Sequence, residues 1–226
     1  MIFYHESDFR IGHSHDTIKI VQSKHYQKLL LLIVILFYIW TLYGATDLFT
    51  WCLEIFPAVI GGIVIAITYR RFPLSNLSYT LIAIHAMILA YGGRTTYAEA
   101  PLGFWLSEIF GWSRNNYDKI GHLMQGFGPV IWGREIFLRL NVVKRPGWFN
   151  TILVLIILGT SALYEFIEWW VSLLSGSAGD AFLGTQGYVW DTQSDMLLAG
   201  IGSIIALILL TKWHNRSMQK LSSPDA

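Results

Sequence analysis

Six apolar stretches dominate this chain, at 29–45, 51–69, 77–93, 117–140, 151–174 and 192–211. Each is close to the length of about 20 residues that a helix needs to cross a bilayer. Inside lipid the backbone finds no water, so each stretch must satisfy its own amide groups, which a helix does. The expected fold is therefore all-α: a polytopic membrane helix bundle of six transmembrane helices. It forms a single domain over 29–211, between a polar N-terminal tail, 1–28, and a C-terminal tail, 212–226. Composition agrees, because only 14% of residues are charged, against roughly 25% in soluble domains. A net charge of +1 with no long basic run excludes a nucleic-acid binder. The lone Cys52 cannot form an internal disulfide and reads as a small buried hydrophobe. The first run follows a basic segment. Its apolar core is long and no small-residue cleavage site follows, so it reads as an uncleaved anchor.

Basic residues set the orientation. Thirteen of the 16 Lys and Arg residues fall in the N-terminal tail, the loop at 70–71, the stretch 134–145 and the C-terminal tail. The opposite side receives Arg94, Arg114 and Lys119. Both termini are thus expected in the cytoplasm. Of the two long outer loops, 94–116 carries an apolar, Trp-containing run near 101–110, too short to span, that fits an interfacial helix. The other, 175–190, is glycine-rich around Asp180, and suits either close approach to a ligand or a flexible turn. His13 and His15 in the N-terminal tail read as solvated.

Against this apolar background stand three ionisable clusters: Asp118 and Lys119 with His122, Glu165 with Glu168, and Asp191 with Asp195. Charge in lipid is costly and marks a candidate functional site. Spacings of three and four put the members of each pair on one helix face, which must turn inward. At 1.5 Å per residue His122 and Asp195 lie roughly 7 Å below the outer helix ends, and the glutamates roughly 10–15 Å. One outward-facing polar pocket is expected. Its five carboxylates exceed Lys119 and His122 by three negatives. Protonation, Arg94 or Arg114 folding in, or a bound divalent cation would relieve the excess. Oxygen ligands suit calcium, magnesium or manganese, and His122 admits zinc or iron. The bland readings differ by residue. Asp118 and Asp191 suit helix N-termini, Lys119 can snorkel, and His122 can be a bonded core histidine. Glu165, Glu168 and Asp195 resist such readings. Arg134–Glu135, at the inner end of its helix, reads as a snorkelling or internally paired couple.

The strings Tyr117-Asp118-Lys119-x-Gly121-His122, Tyr164-Glu165-x-x-Glu168-Trp169 and Gly179 to Met196 resemble the YjdF-type bacterial inner-membrane proteins, a domain-of-unknown-function family. The resemblance implies a multi-pass protein of the bacterial inner membrane. A looser similarity reaches the VanZ-like proteins, associated with glycopeptide resistance in some bacteria. There Asp118, Lys119, His122, Glu165 and Asp195 would be the corresponding positions. Glu168, the glycine-rich loop and the extra N-terminal helices depart from that pattern.

Three functions compete. In the first, an enzyme, Asp118, His122, Glu165, Glu168, Asp191 and Asp195 are candidate metal ligands. Glu165, Glu168 and Lys119 are the candidate catalytic groups, with Lys119 stabilising an anion. The substrate would be an envelope lipid or lipid-linked precursor. No His-Glu-x-x-His motif accompanies them. The second is a cation- or proton-coupled transporter, although no polar series continues inward past Gln125. The third is a non-catalytic lipid-binding or envelope-resistance scaffold. The bilayer is the one partner common to all three.

Overall fold

The computed structural model describes residues 24–175 and 186–222. Within them the chain forms seven α-helices and one 3-10 turn, Tyr97–Glu99. The helices are α1 (Lys24–Tyr43), α2 (Leu48–Thr68), α3 (Asn76–Thr95), α4 (Pro101–Phe110), α5 (Tyr117–Arg139), α6 (Pro146–Ser175) and α7 (Asp191–Ser222). Asp180 and the tail histidines His13 and His15 lie outside the described residues. The all-α polytopic bundle is thus present. A helix occupies the 101–110 segment, opened by Pro101 and closed by Gly111 in the left-handed conformation at φ 67°. α7 continues past Thr211 to Ser222, and α1 begins at Lys24, before the apolar run itself.

Six spans were expected, and four helices meet both the length and the apolarity of one: His25–Tyr43, Leu48–Thr68, Pro146–Leu174 and Asp191–Leu221. α3 and α5, with 20 and 23 residues, are long enough but more polar. The reason lies in their positions. α5 packs against α3, α6 and α7, and α3 against α1, α2 and α5. Polar side chains on them meet protein, where they find partners. The peripheral α1 instead exposes Leu29, Leu32, Leu36 and Ile39. Cys52, expected to be buried, is exposed on α2. A thiol is apolar enough to face lipid without cost.

Local signals explain the helix starts. Asp47 caps α2, accepting from the amides of Phe49 and Thr50 at 3.1 Å each. A bond from the Thr50 hydroxyl, with those amides, holds the Asp47 carboxyl below its usual range. This cap therefore stabilises the ionised form and weakens as pH falls through that lowered value. Ser75 caps α3 through the amide of Ser78.

The most extensive helix pair is α5 with α7. Two glycines set its closeness. A Cβ on Gly126 would lie 1.8 Å from the Ala199 carbonyl oxygen, and one on Gly202 would lie 2.1 Å from that of Leu123. Small residues let helix backbones approach where no hydrophobic drive exists between lipid-embedded helices. Val130, Ile131, Leu153, Ile157, Ala199 and Ala206 form the apolar core around this contact.

One end of the bundle is closed by a buried polar network. Glu135 accepts from the Ser75 amide at 2.8 Å, the Ser78 hydroxyl at 2.7 Å and Arg139 at 2.9 Å. His214 Nε2 lies 3.2 Å from Oε2, the oxygen that also accepts from Ser78. Arg134 reaches His214 Nδ1 at 2.9 Å and donates to Asn215 at 2.8 Å. Arg134 and Glu135 therefore do not snorkel. Both are buried and stitched to α3 and α7. Sequence spacing alone could not show this, because every named partner except Arg139, four residues on, is 57 to 81 residues away.

Gly126→Ala should cost about 1–3 kcal/mol by overpacking against the α7 backbone. Gly159→Ala, where a Cβ meets nothing within 4 Å, should be neutral or mildly stabilising. Thermal unfolding of the two variants in detergent, beside the unaltered protein, checks the contrast.

Candidate functional site

The ionisable clusters meet at the other end of α5. Asp118, Lys119 and His122 occupy its first two turns. α7 brings Asp191 and Asp195, and α6 brings Glu165 and Glu168, with all four carboxylates buried. The i, i+3 and i, i+4 spacings turn each pair toward the common centre.

Lys119 is the bridge. Its Nζ donates to Asp195 Oδ1 at 2.6 Å and Oδ2 at 2.8 Å, to Asp191 at 2.7 Å and to Asp118 at 3.3 Å. It therefore does not snorkel, and its donors are engaged by carboxylates. Arg114 folds in from the α4–α5 connection and donates to Asp191 at 3.0 Å, while stacking over Tyr188. Arg94, the other loop arginine considered, stacks over Trp40 at 4.3 Å.

His122 occupies the centre and is buried. Its Nε2 lies 3.3 Å from Asp118 and 4.0 Å from Asp195. Its Nδ1 lies 3.0 Å from Gln125 Oε1 and 3.8 Å from Glu165 Oε1. Two triads with metal-ligand spacing share it: Asp118–His122–Asp195 and His122–Glu165–Glu168, each with its ligand atoms within 4.8 Å of one another. They differ in compensation. Asp195 already holds the Lys119 ammonium in a two-oxygen grip. Glu165 Oε1, by contrast, is a buried oxygen with no hydrogen-bond partner among the described residues. A buried acceptor without a partner is costly and calls for an explanation. One imidazole nitrogen and two carboxylates, with an unmatched oxygen pointing among them, fit a borderline divalent cation.

A sixth carboxylate joins them. Glu54 on α2 is buried and lines the same cavity as Asp118, His122 and Glu168. Tyr97 lines the cavity with it. The sequence reading did not single it out, although a carboxylate inside the 51–69 run meets the same cost argument as Glu165. Tyr164 and His85 line this cavity too. Both look like ordinary core residues in sequence, and nothing in their spacing signals otherwise. With Glu54 included, six carboxylates face the permanent cations Lys119 and Arg114, an excess of four negatives, or three if His122 is protonated.

The fold and this cluster define a multi-pass helical membrane protein with an acidic, histidine-centred site buried between its helices. A family model described as a predicted membrane protein (DUF2238) matches residues 26–216, and the chain belongs to that family. It is 44% identical over 182 residues to the inner membrane protein YjdF of Escherichia coli (strain K12), covering 80% of this chain and 87% of the relative. No solved structure matches it. The protein is a multi-pass protein of the bacterial inner membrane.

Lys119→Met should leave Asp191 and Asp195 without their shared cation and cost about 3 kcal/mol or more. Adding Asp195→Asn should recover a substantial part of that loss. A double-mutant cycle by detergent unfolding measures the coupling, and additive losses would mean that the bridge carries no net energy.

Proposed function

We propose that this protein is a metal-dependent enzyme that hydrolyses, or transfers a group from, an envelope lipid or lipid-linked substrate. His122, Glu165 and Glu168 would hold the ion. The observation that carries this reading is Glu165 Oε1, buried without a hydrogen-bond partner among the described residues and 3.8 Å from His122 Nδ1. A cation there would satisfy the oxygen and offset part of the negative excess. The bound ion would supply Lewis acidity toward a phosphoryl or acyl oxygen and would acidify water.

The remaining residues take roles that follow from their contacts. Asp118 stands at His122 Nε2, where it would accept that nitrogen's proton in a hydrogen bond, so that Nδ1 could exchange its 3.0 Å contact with Gln125 for the ion, as carboxylates commonly support metal-bound histidines. Lys119 is engaged by Asp191 and Asp195. It therefore acts as the counter-ion that holds α5 to α7, in place of the anion-stabilising role first considered for it. Asp191 and Asp195 then serve the bridge and leave ligation to the glutamates. Glu54, across the cavity, stands where a proton-transferring group would face the substrate.

The transporter reading has less support. Gln125 reaches Ser161 at 3.3 Å, but the cavity beyond is lined by Val130, Phe137, Leu153 and Ile156, which offer no relay. A non-catalytic scaffold would use the same cavity without the ion.

Elemental analysis of detergent-purified protein tests the proposal. The wild type should carry near-stoichiometric divalent metal. His122→Ala and the double variant Glu165→Gln/Glu168→Gln should lose about 10- to 100-fold in affinity or more. Asp191→Asn should retain the metal. A metal-free wild type that also fails to take up zinc, manganese or iron, with no thermal shift on addition, would overturn the reading.

A further inference from the structure

Beside the His122 centre lies a cavity of about 410 Å³, between α2 and α3 on one side and α5 and α6 on the other. That is within the range of roughly 300–1,000 Å³ typical of small-molecule sites. Its two ends differ chemically. Glu54, Asp118, His122 and Glu168 line one end, while Gly61, Val130, Phe137, Leu153 and Ile156 line the other. The polar end is thus rich in carboxylate, and the apolar part extends along the helices away from it.

The cavity also has a mouth. Ile156, Leu163 and Ile167 line it and are nevertheless 44%, 62% and 44% exposed. With Thr160 they form one stripe of α6, at spacings of four, three and four. The opening is therefore lateral, toward the surroundings of the bundle, and in a membrane protein those surroundings are acyl chains. On the facing helix, α2 contributes Gly61, where a Cβ would meet nothing within 4 Å.

We infer that this cavity is a slot for a membrane lipid bearing an ammonium head. The chain enters sideways between α2 and α6, and the ammonium lies against Glu54 and Asp118, beside the Glu168 that would hold the ion. An apolar slot open to the bilayer excludes a free polar metabolite. Charge complementarity selects the head, because Glu54, Asp118 and Glu168 line the polar end, and Lys119 reaches Asp118 alone of these, at 3.3 Å, while its shorter contacts go to Asp191 and Asp195. A lipid with only an anionic head would add to the excess. This deepens the proposed function by naming its substrate class and rests on it for the chemistry. Binding can nevertheless be read without the metal.

The experiment is native mass spectrometry of the full-length protein in EDTA, challenged with equal phosphatidylethanolamine and phosphatidylglycerol of identical chains. The ethanolamine lipid should be retained at least about fivefold over the glycerol lipid, the scale of a partly buried ion pair. Gly61→Phe should abolish retention by filling the slot. Gly62→Phe, on the same helix but outside the cavity lining, should leave it unchanged. Glu54→Gln should reduce the head preference while keeping the chain bound. A diazirine-tailed ethanolamine lipid should label α2 and α6 peptides in the wild type, so the proposal remains testable if Gly61→Phe does not fold. Equal retention of the two lipids, a preference for the glycerol lipid, or labelling spread evenly over α1 and α4 would overturn the inference. Metal uptake without lipid selectivity would sink this inference alone. Lipid selectivity without metal uptake would sink the enzymatic reading alone.

Discussion

Desolvation of carboxylates governs this structure, and the Lys119 bridge is where the molecule meets it most directly. A carboxylate taken out of water loses several kcal/mol unless a cation and hydrogen bonds replace the solvent. Lys119 supplies one ammonium to Asp118, Asp191 and Asp195 together, and in doing so fixes the register of α5 against α7. The glycine contacts at Gly126 and Gly202 then let the backbones close below the bridge. Electrostatic and steric constraints thus act on the same helix pair and specify the same arrangement.

The other end of the bundle handles the same problem differently. Glu135 is enclosed by an amide, a hydroxyl, a guanidinium and an imidazole. That set satisfies the carboxylate within the protein and ties α3, α5 and α7 together. At the His122 end the accounting stops short. The cations Lys119 and Arg114 serve the α7 aspartates, while Glu165 keeps an oxygen unmatched among the described residues. The contrast separates a structural network from a site with spare binding capacity. Both lie in one molecule, and the His122 end opens into a cavity.

That cavity connects the chemistry to the surroundings. α2 packs on α3, while α6 packs on α5 and α7, and the space between these layers carries its carboxylates near His122. An enzyme working on a bilayer component must hold a polar bond and an apolar chain at once. A site reached from the side, through the Ile156–Ile167 stripe of α6, does so without moving the substrate into water.

The fold class was legible in the sequence because lipid forces each apolar run into a helix, whatever its neighbours. The inward direction of Asp118, His122, Glu165, Glu168 and Asp195 was legible as well, since helical spacing fixes the shared face and lipid penalises the alternative. Contacts between helices were beyond its reach. Glu54 lies 64 residues before Asp118 and shares no periodicity with it, so only packing reveals that they face one cavity. The partners of Arg134 and Glu135, and the division of cations that leaves Glu165 uncompensated, likewise depend on distances between separate helices. Sequence determined that charge would be buried, because burial follows from each helix alone. Tertiary structure decided which charges are neutralised, because the closest partners of Asp191 and Asp195 sit on or just before another helix and act only within about 4 Å.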